Sequence, residues 1–86
     1  PCLPNPTRSV ALISFQLPAV GMASLRIYDI CGRLVRTLVE GAQQPGRYRA
    51  AWDGADDTGR ASASGVYFYR LEAGGASLTR KLTLIR

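Results

Sequence analysis

Short segments in which apolar and polar residues alternate recur along the chain, and they constrain the fold more than any other feature. In residues 47–52, Tyr48, Ala50 and Trp52 alternate with two arginines. A period of two is typical of a strand that buries one face. No window holds a helical period over about ten residues. The sequence therefore predicts an all-β protein.

Turn signals rich in Gly, Pro and Asp separate these segments at roughly ten-residue intervals, a spacing typical of β-sandwiches. The chain is expected to form an immunoglobulin-like or fibronectin-III-like antiparallel β-sandwich of about six or seven strands. The predicted strands are Val10–Leu17, Ala23–Ile30, Leu34–Glu40, Arg47–Trp52, Val66–Ala73 and Ser77–Arg86.

Matching apolar faces gives an expected register for the first two strands. Pairing Phe15 with Leu25 and Ile13 with Ile27 keeps both faces on one side, whereas a slip of one residue turns one of them outward. Residues 41–46 are expected to form a loop, because Pro45-Gly46 is a turn signal.

The 86 residues are enough for one domain with a small core. Residues 1–8 contain three prolines and are expected to form an extended N-terminal tail, because proline fixes its own φ and restricts the preceding residue. Residues 9–86 are expected to form the sandwich. The apolar runs are too short for a membrane-spanning helix, so no membrane insertion is expected.

The formal charge is +5, from eleven Lys and Arg against six Asp and Glu. These bases are scattered, and the longest basic run is Arg80-Lys81. Scattered bases are typical of the solvated outer faces of strands. Nucleic acid is not an expected partner, since the sequence has neither a basic patch nor a set of exposed stacking rings.

The sequence has no histidine and none of the common catalytic motifs. The chain has no His, so a Ser or Cys nucleophile would lack an imidazole base. No serine lies in a nucleophile-elbow pattern and no glycine-rich phosphate loop is present. The chain is therefore expected to be no enzyme and to need no cofactor.

An acidic loop, Asp53-Gly54-Ala55-Asp56-Asp57-Thr58-Gly59, follows Trp52. Asp53, Asp56 and Asp57 are weak candidates for Ca²⁺ ligands, because Ca²⁺ binds closely spaced carboxylates and carbonyls. The loop lacks the alternating Asp positions and the final Glu of an EF-hand. The other interpretation is that the Asp side chains accept local backbone N–H bonds in a tight connection.

Cys2 and Cys31 are candidates for a disulfide, because two cysteines in a small secreted domain usually pair. Closing a loop of about thirty residues would add about 3–4 kcal/mol in the chain-entropy model. The expected register puts Cys31 across from Ser9, so the proline-containing tail would have to double back. A bond between two chains and free thiols are the alternatives.

A series of motifs resembles a known family. They are Asn5-Pro6, the segment 13–18 (ISFQLP), the segment 25–35 (LRIYDICGRLV), Gly46-Arg47-Tyr48, Trp52-Asp53-Gly54, the segment 64–71 (SGVYFYRL) and the ending 80–86 (RKLTLIR). In this order they resemble the C-terminal sorting domain of proteins exported by the type IX secretion system. They also resemble its relative, the immunoglobulin-like domain of flagellar hook-capping proteins.

The resemblance implies a non-catalytic module for export sorting, cell-surface attachment or assembly. It implies a secreted or bacterial cell-surface location, with protein partners: a secretion apparatus, a cargo protein or copies of the chain itself. Arg80, Lys81 and Arg86 on the last strand are the expected contacts with the secretion apparatus.

The alternative is a self-assembling subunit of an extracellular filament or layer. An extended segment can add to a neighbour's sheet edge, which makes Leu3, Pro4 and Pro6 candidates for partner binding. Phe68 is a further candidate, because its parity places it opposite to its inward-facing aromatic neighbours Tyr67 and Tyr69. An accessory carbohydrate- or anion-binding domain is a third interpretation, resting on the charge and the scattered aromatic residues.

Overall fold

A computed structural model describes residues 10–85. These residues form six strands, and none of them is helical. The strands are β1 (Ala11–Leu17), β2 (Gly21–Tyr28), β3 (Leu34–Gln43), β4 (Gly46–Trp52), β5 (Gly65–Ala73) and β6 (Ala76–Leu84). The prediction of an all-β, antiparallel, immunoglobulin-like fold is confirmed.

The strands make two sheets of unequal width. β1 and β4 form a two-stranded sheet, and the other four strands form a sheet in the order β3-β2-β5-β6. All the pairings are antiparallel. Only Gln44 and Pro45 connect β3 to β4, so β4 lies over the β3 side of the wide sheet. β1 therefore lies towards the β5–β6 side.

The expected hairpin between the first two strands is wrong. Phe15 pairs with Tyr48 in β4, while Leu25 pairs with Val39 and Leu71 in the wide sheet. The turn after Leu17 carries the chain from one sheet to the other. The apolar faces of β1 and β2 therefore oppose each other across the core. The alternation of apolar and polar residues would be the same if the two strands formed a hairpin.

The expected loop over residues 41–46 is also shorter than predicted. β3 continues to Gln43, because residues 40–43 pair with the first residues of β2. Register shifts between Leu25 and Arg26 and between Ile27 and Tyr28 bulge this strand pair. Such a bulge inserts an extra residue into one strand, and it explains why β3 shows no clean alternation in sequence.

The core lies between the sheets and follows the predicted alternation. Its buried members are Ile13, Leu25, Ile27, Trp52, Tyr67 and Leu84, and Tyr69 and Leu71 pack against them. Trp52 is 0% exposed, and its Nε1 donates a hydrogen bond to the Ala55 carbonyl at 2.8 Å. Its ring meets Tyr67 edge-to-face, with centroids 5.1 Å apart. Trp52 thus ties the narrow sheet both to the wide sheet and to the following loop.

Replacing Trp52 should therefore cost more stability than any exposed change. We expect Trp52→Ala to lower the free energy of unfolding by about 3–5 kcal/mol. Trp52→Phe keeps a ring but leaves the Ala55 carbonyl without its indole donor, and should cost about 1–3 kcal/mol. Urea unfolding followed by circular dichroism measures both. Leu12→Ala, at a side chain that is 63% exposed, is the control and should change stability by about 0.5 kcal/mol or less. A Trp52→Ala protein as stable as this control would contradict the assigned core.

Candidate functional site: strand edges and an apolar groove

The acidic loop after Trp52 is organised by its own carboxylates. Asp56 Oδ1 accepts hydrogen bonds from the backbone N–H groups of Thr58 and Arg60 and from the Thr58 hydroxyl, at 2.6–3.0 Å. Asp53 Oδ1 accepts the N–H of Ala55 at 3.0 Å. Gly59, at φ +87°, takes a backbone conformation that side chains disfavour. These contacts agree with the second interpretation of the loop, in which the Asp side chains accept hydrogen bonds from nearby backbone N–H groups.

The three candidate calcium ligands are not assembled into a metal site. Asp57 Oδ1 accepts the N–H of Thr37 in β3 at 3.0 Å, while the other two carboxylates bond within the loop. Across residues 10–85, no group of three His, Cys, Asp or Glu side chains is placed to hold a metal ion. The calcium interpretation gains no support from this geometry.

Asp57 has a different role, at the outer edge of β3. Its N–H donates to the Val35 carbonyl at 2.9 Å, and its carboxylate accepts the Thr37 N–H. Arg36 adds a hydrogen bond to the Asp56 carbonyl at 3.3 Å and an ion-pair contact with Asp57 at 4.0 Å. The loop thus occupies edge groups that would otherwise be open to another strand.

The turn between β2 and β3 is organised in a similar way around Asp29. Its Oδ1 accepts the N–H groups of Cys31 and Arg33, both at 2.9 Å. Cys31 is exposed in this turn, and its disulfide candidate Cys2 lies outside the described residues. The pairing of the two cysteines stays a prediction. The expected position across from Ser9 no longer applies, because β1 and β2 are in different sheets.

The outer face of the wide sheet is polar at its centre and aromatic towards one end. Arg26 bridges Glu40 and Glu72 at 3.1 and 3.7 Å. Phe68, half-buried, lies in the cross-strand row between Tyr28 and Lys81. This outward placement agrees with its sequence parity. Its role in partner binding stays a prediction.

The last strand separates its two basic residues. Arg80 pairs with Tyr69 and shares the inward parity of Leu82 and Leu84, whereas Lys81 lies on the outer face. Both side chains are exposed. Arg86 lies outside the described residues, as do Leu3, Pro4 and Pro6. Among the described candidates, Phe68 and Lys81 are cross-strand neighbours on the outer face of the wide sheet, whereas Arg80 has the opposite parity.

The four outer edges of the two sheets differ in how they are protected. The edge of β3 is occupied by the Asp57 loop. β4 carries Arg47 and Arg49, and β6 carries Arg80 and Lys81; charged side chains of this kind oppose edge-to-edge pairing. β1 has no charged residue. Among residues 10–85, no strand pairs with its outer edge.

An apolar groove of about 390 Å³ lies beside the end of β1. It runs from Gln16 and Leu17, past the β1–β2 turn, to Leu71 and Leu78 in the β5–β6 hairpin. Leu78 has the inward parity of β6 and pairs with Leu71, yet it is 42% exposed. The narrow sheet does not reach this part of the wide sheet, so the inner face of β6 is left open here.

Sequence reasoning missed the open edge of β1 and the groove. The uncharged stretch from Ser9 to Leu25 was a usable signal. It became informative only once β1 was known to be an edge strand, because the same composition fits a central strand equally well.

The fold and surface define an immunoglobulin-like β-sandwich without a metal cluster in its described part. The chain belongs to the FlgD Ig-like domain family, whose model matches residues 7–77. This is the hook-capping relative among the two resemblances drawn from the sequence. No curated protein matches the chain.

A crystal structure of FlgD from P. aeruginosa has a similar fold. It is 24% identical to this chain and superimposes with a TM-score of 0.62, over 88% of this chain and 60% of the FlgD chain. At this identity the likeness supports the fold alone. The chain spans 60% of that FlgD chain's length. The described residues contain no helix that could cross a membrane.

The hydrogen bonds that Asp56 accepts should lower its pKa. The Thr58 hydroxyl, followed by the Arg60 N–H, holds the pKa of Asp56 below its ordinary value of 3.8. This stabilisation is complete above the unfolded-state pKa and is lost as the pH falls through the lower folded-state pKa. We expect Thr58→Val to raise the pKa of Asp56, measured by NMR of the side-chain carboxyl carbon. Thr79→Val, on β6, is the control. An Asp56 that titrates at its ordinary value in the unmodified protein would contradict the loop geometry.

Proposed function

We propose that this chain is a non-catalytic, extracellular, immunoglobulin-like module that assembles with other protein subunits through its exposed strand edges. The chain's membership of the FlgD Ig-like family supports an assembly role of the flagellar-hook type. The proposed partners are proteins, including copies of the chain itself. The proposed location is the bacterial cell surface.

The open edge of β1 is the observation that carries this proposal. An edge strand presents unpaired N–H and C=O groups, and natural proteins usually protect such groups with charges, prolines or a covering segment. β3 is occupied by Asp57, whereas β1 has neither a charge nor a described neighbour on that side. An unprotected apolar edge beside a groove fits a surface that is covered in an assembly.

The charge distribution is compatible with this role. The protein has a net charge of +5, but β1 and the turn after it are uncharged. Repulsion between copies would therefore act mainly through surfaces away from the proposed contact. Catalysis is not part of the proposal, because the sequence has no histidine and the described residues hold no cluster of metal ligands.

Self-association of the purified 86-residue chain tests the assembly proposal. We expect sedimentation velocity to show a shift from monomer to larger species as the concentration rises into the range of weak protein contacts, about 1–100 μM. A chain lacking residues 1–8 should stay monomeric with unchanged circular dichroism, since it keeps all six described strands, the first of which begins at Ala11. Monomeric full-length protein throughout this range would overturn the proposal.

Export sorting is the second candidate function. It rests on the resemblance to type IX sorting domains and on the exposed pair Arg80 and Lys81, which a secretion apparatus could recognise. Arg80 and Lys81 project from opposite faces of β6, so such an apparatus would have to contact the strand from its open edge. This geometry makes the edge, rather than one face of the sheet, the proposed recognition surface.

A passenger fusion tests the sorting role. Residues 5–86 joined to the C-terminus of a reporter enzyme should direct its export in a host with a type IX system. Replacing both Arg80 and Lys81 by Ser should reduce the exported fraction, while replacing both Arg47 and Arg49 by Ser on β4 removes equal charge and should not. A reporter that stays in the periplasm with the unmodified fusion would contradict this role.

A further inference from the structure

In the described part of the chain, one side of the sandwich has an unpaired strand edge beside an apolar groove. β1 is an edge of the narrow sheet, and the groove lies between the end of β1 and the inner face of β6. A strand hydrogen-bonded to β1 would extend the narrow sheet over this gap. It would cover Leu78, which is 42% exposed, whereas Leu17 in the same groove is 3% exposed.

We propose that residues 3–7 of a second copy of this chain bind as that strand, along the outer edge of β1. This inference rests on the proposed assembly function. The donor is the segment 3–7 of one copy, and the acceptor is the edge of β1 in the next. β1 has seven residues and is about 23 Å long at about 3.3 Å per residue. Five donor residues would span about 17 Å, which fits within this length.

The proline pattern of the donor segment suits an edge strand and selects which edge of the segment faces β1. Pro4 and Pro6 have no N–H, and they are two residues apart. In a strand, alternate residues direct their backbone groups to the same edge, so Leu3, Asn5 and Thr7 can all pair with β1 while the prolines face away. Prolines on the outer side would also stop a further strand from adding, as on natural sheet edges.

A neighbour's segment fits this site better than the chain's own. To pair with its own β1, the segment would have to reverse direction within Arg8-Ser9-Val10. Tight hairpins require positive φ at the turn, which Gly, Asn and Asp supply. None of these residues occurs there. A segment from a second copy needs no reversal.

The contact has a defined symmetry. The donor segment of one copy meets β1 of the next, so each copy would have both a free donor and a free acceptor. Such a head-to-tail contact that does not close builds an open chain of subunits. The same contact between donor segment and β1 would instead build a closed ring if the rotation between successive copies closes.

Two matched pairs of variants test the site. In the donor, Asn5→Pro removes an N–H directed at β1, whereas Pro6→Ala adds one that faces away. In the acceptor, Leu78→Lys places a charge in the groove, whereas Val66→Lys places one on the outer face of the same sheet at a side chain 36% exposed. All four proteins should keep the circular dichroism and unfolding midpoint of a folded sandwich.

Sedimentation equilibrium should show self-association weakened about tenfold or more by Asn5→Pro and by Leu78→Lys, the equivalent of one lost contact in each. Pro6→Ala and Val66→Lys should associate as the unmodified chain does. If the unmodified chain associates but Asn5→Pro and Leu78→Lys associate equally well, the strand site is wrong and the assembly function stands. If the unmodified chain stays monomeric, both are overturned.

Discussion

The burial of Trp52 between the two sheets is the interaction on which the rest of this structure depends. Its ring packs against Tyr67 from the wide sheet, and its indole N–H holds the Ala55 carbonyl at the start of the acidic loop. That hydrogen bond fixes where the loop begins. The loop then closes on itself through Asp56, so that Asp57 reaches the edge of β3. One buried side chain thus positions both the core and the cover of one sheet edge.

The same packing leaves the other side of the molecule open. A two-stranded sheet cannot cover a four-stranded one, and the short connection from β3 to β4 places the narrow sheet towards β3. Among the described residues, the uncovered part is therefore the inner face of β6 around Leu78 and the adjoining edge of β1, whereas Leu84 at the other end of β6 is buried. Charged residues protect β4 and β6 from pairing with other strands, whereas β1 has no such protection. The unequal widths of the sheets, rather than any cluster of reactive groups, create the candidate site.

Much of the fold could be predicted from the sequence, because burial on one face imposes a period of two that is visible in single strands. The inward placement of Trp52 and Tyr67 and the outward placement of Phe68 follow from parity alone. Strand pairing could not be predicted in the same way. Phe15 has the right parity to lie beside Leu25 or across the core from it, and only the second arrangement occurs. The bulges in β3 removed its alternation, so its extension to Gln43 was not visible.

The candidate site was harder to predict, since it depends on which strand lies at an edge. The spacing of the carboxylates in the acidic loop made it a candidate metal site, yet these carboxylates accept hydrogen bonds from backbone N–H groups. No local pattern shows that Asp57 bonds to a strand twenty residues earlier. The absence of charge in β1 is visible in sequence, but its meaning depends on the pairing of β1 with β4 alone among the described strands.

Amide hydrogen exchange measured by NMR tests the central claim, that the edge of β3 is covered within one molecule while no other described strand covers the outer edge of β1. In the monomer, the amides of Thr37 and Asp57 should exchange slowly, because both donate hydrogen bonds at that edge. Alternate amides in β1, those that face away from β4, should exchange rapidly and become protected when the protein assembles. Slow exchange of every β1 amide in the full-length monomer, or fast exchange at Thr37, would contradict the account.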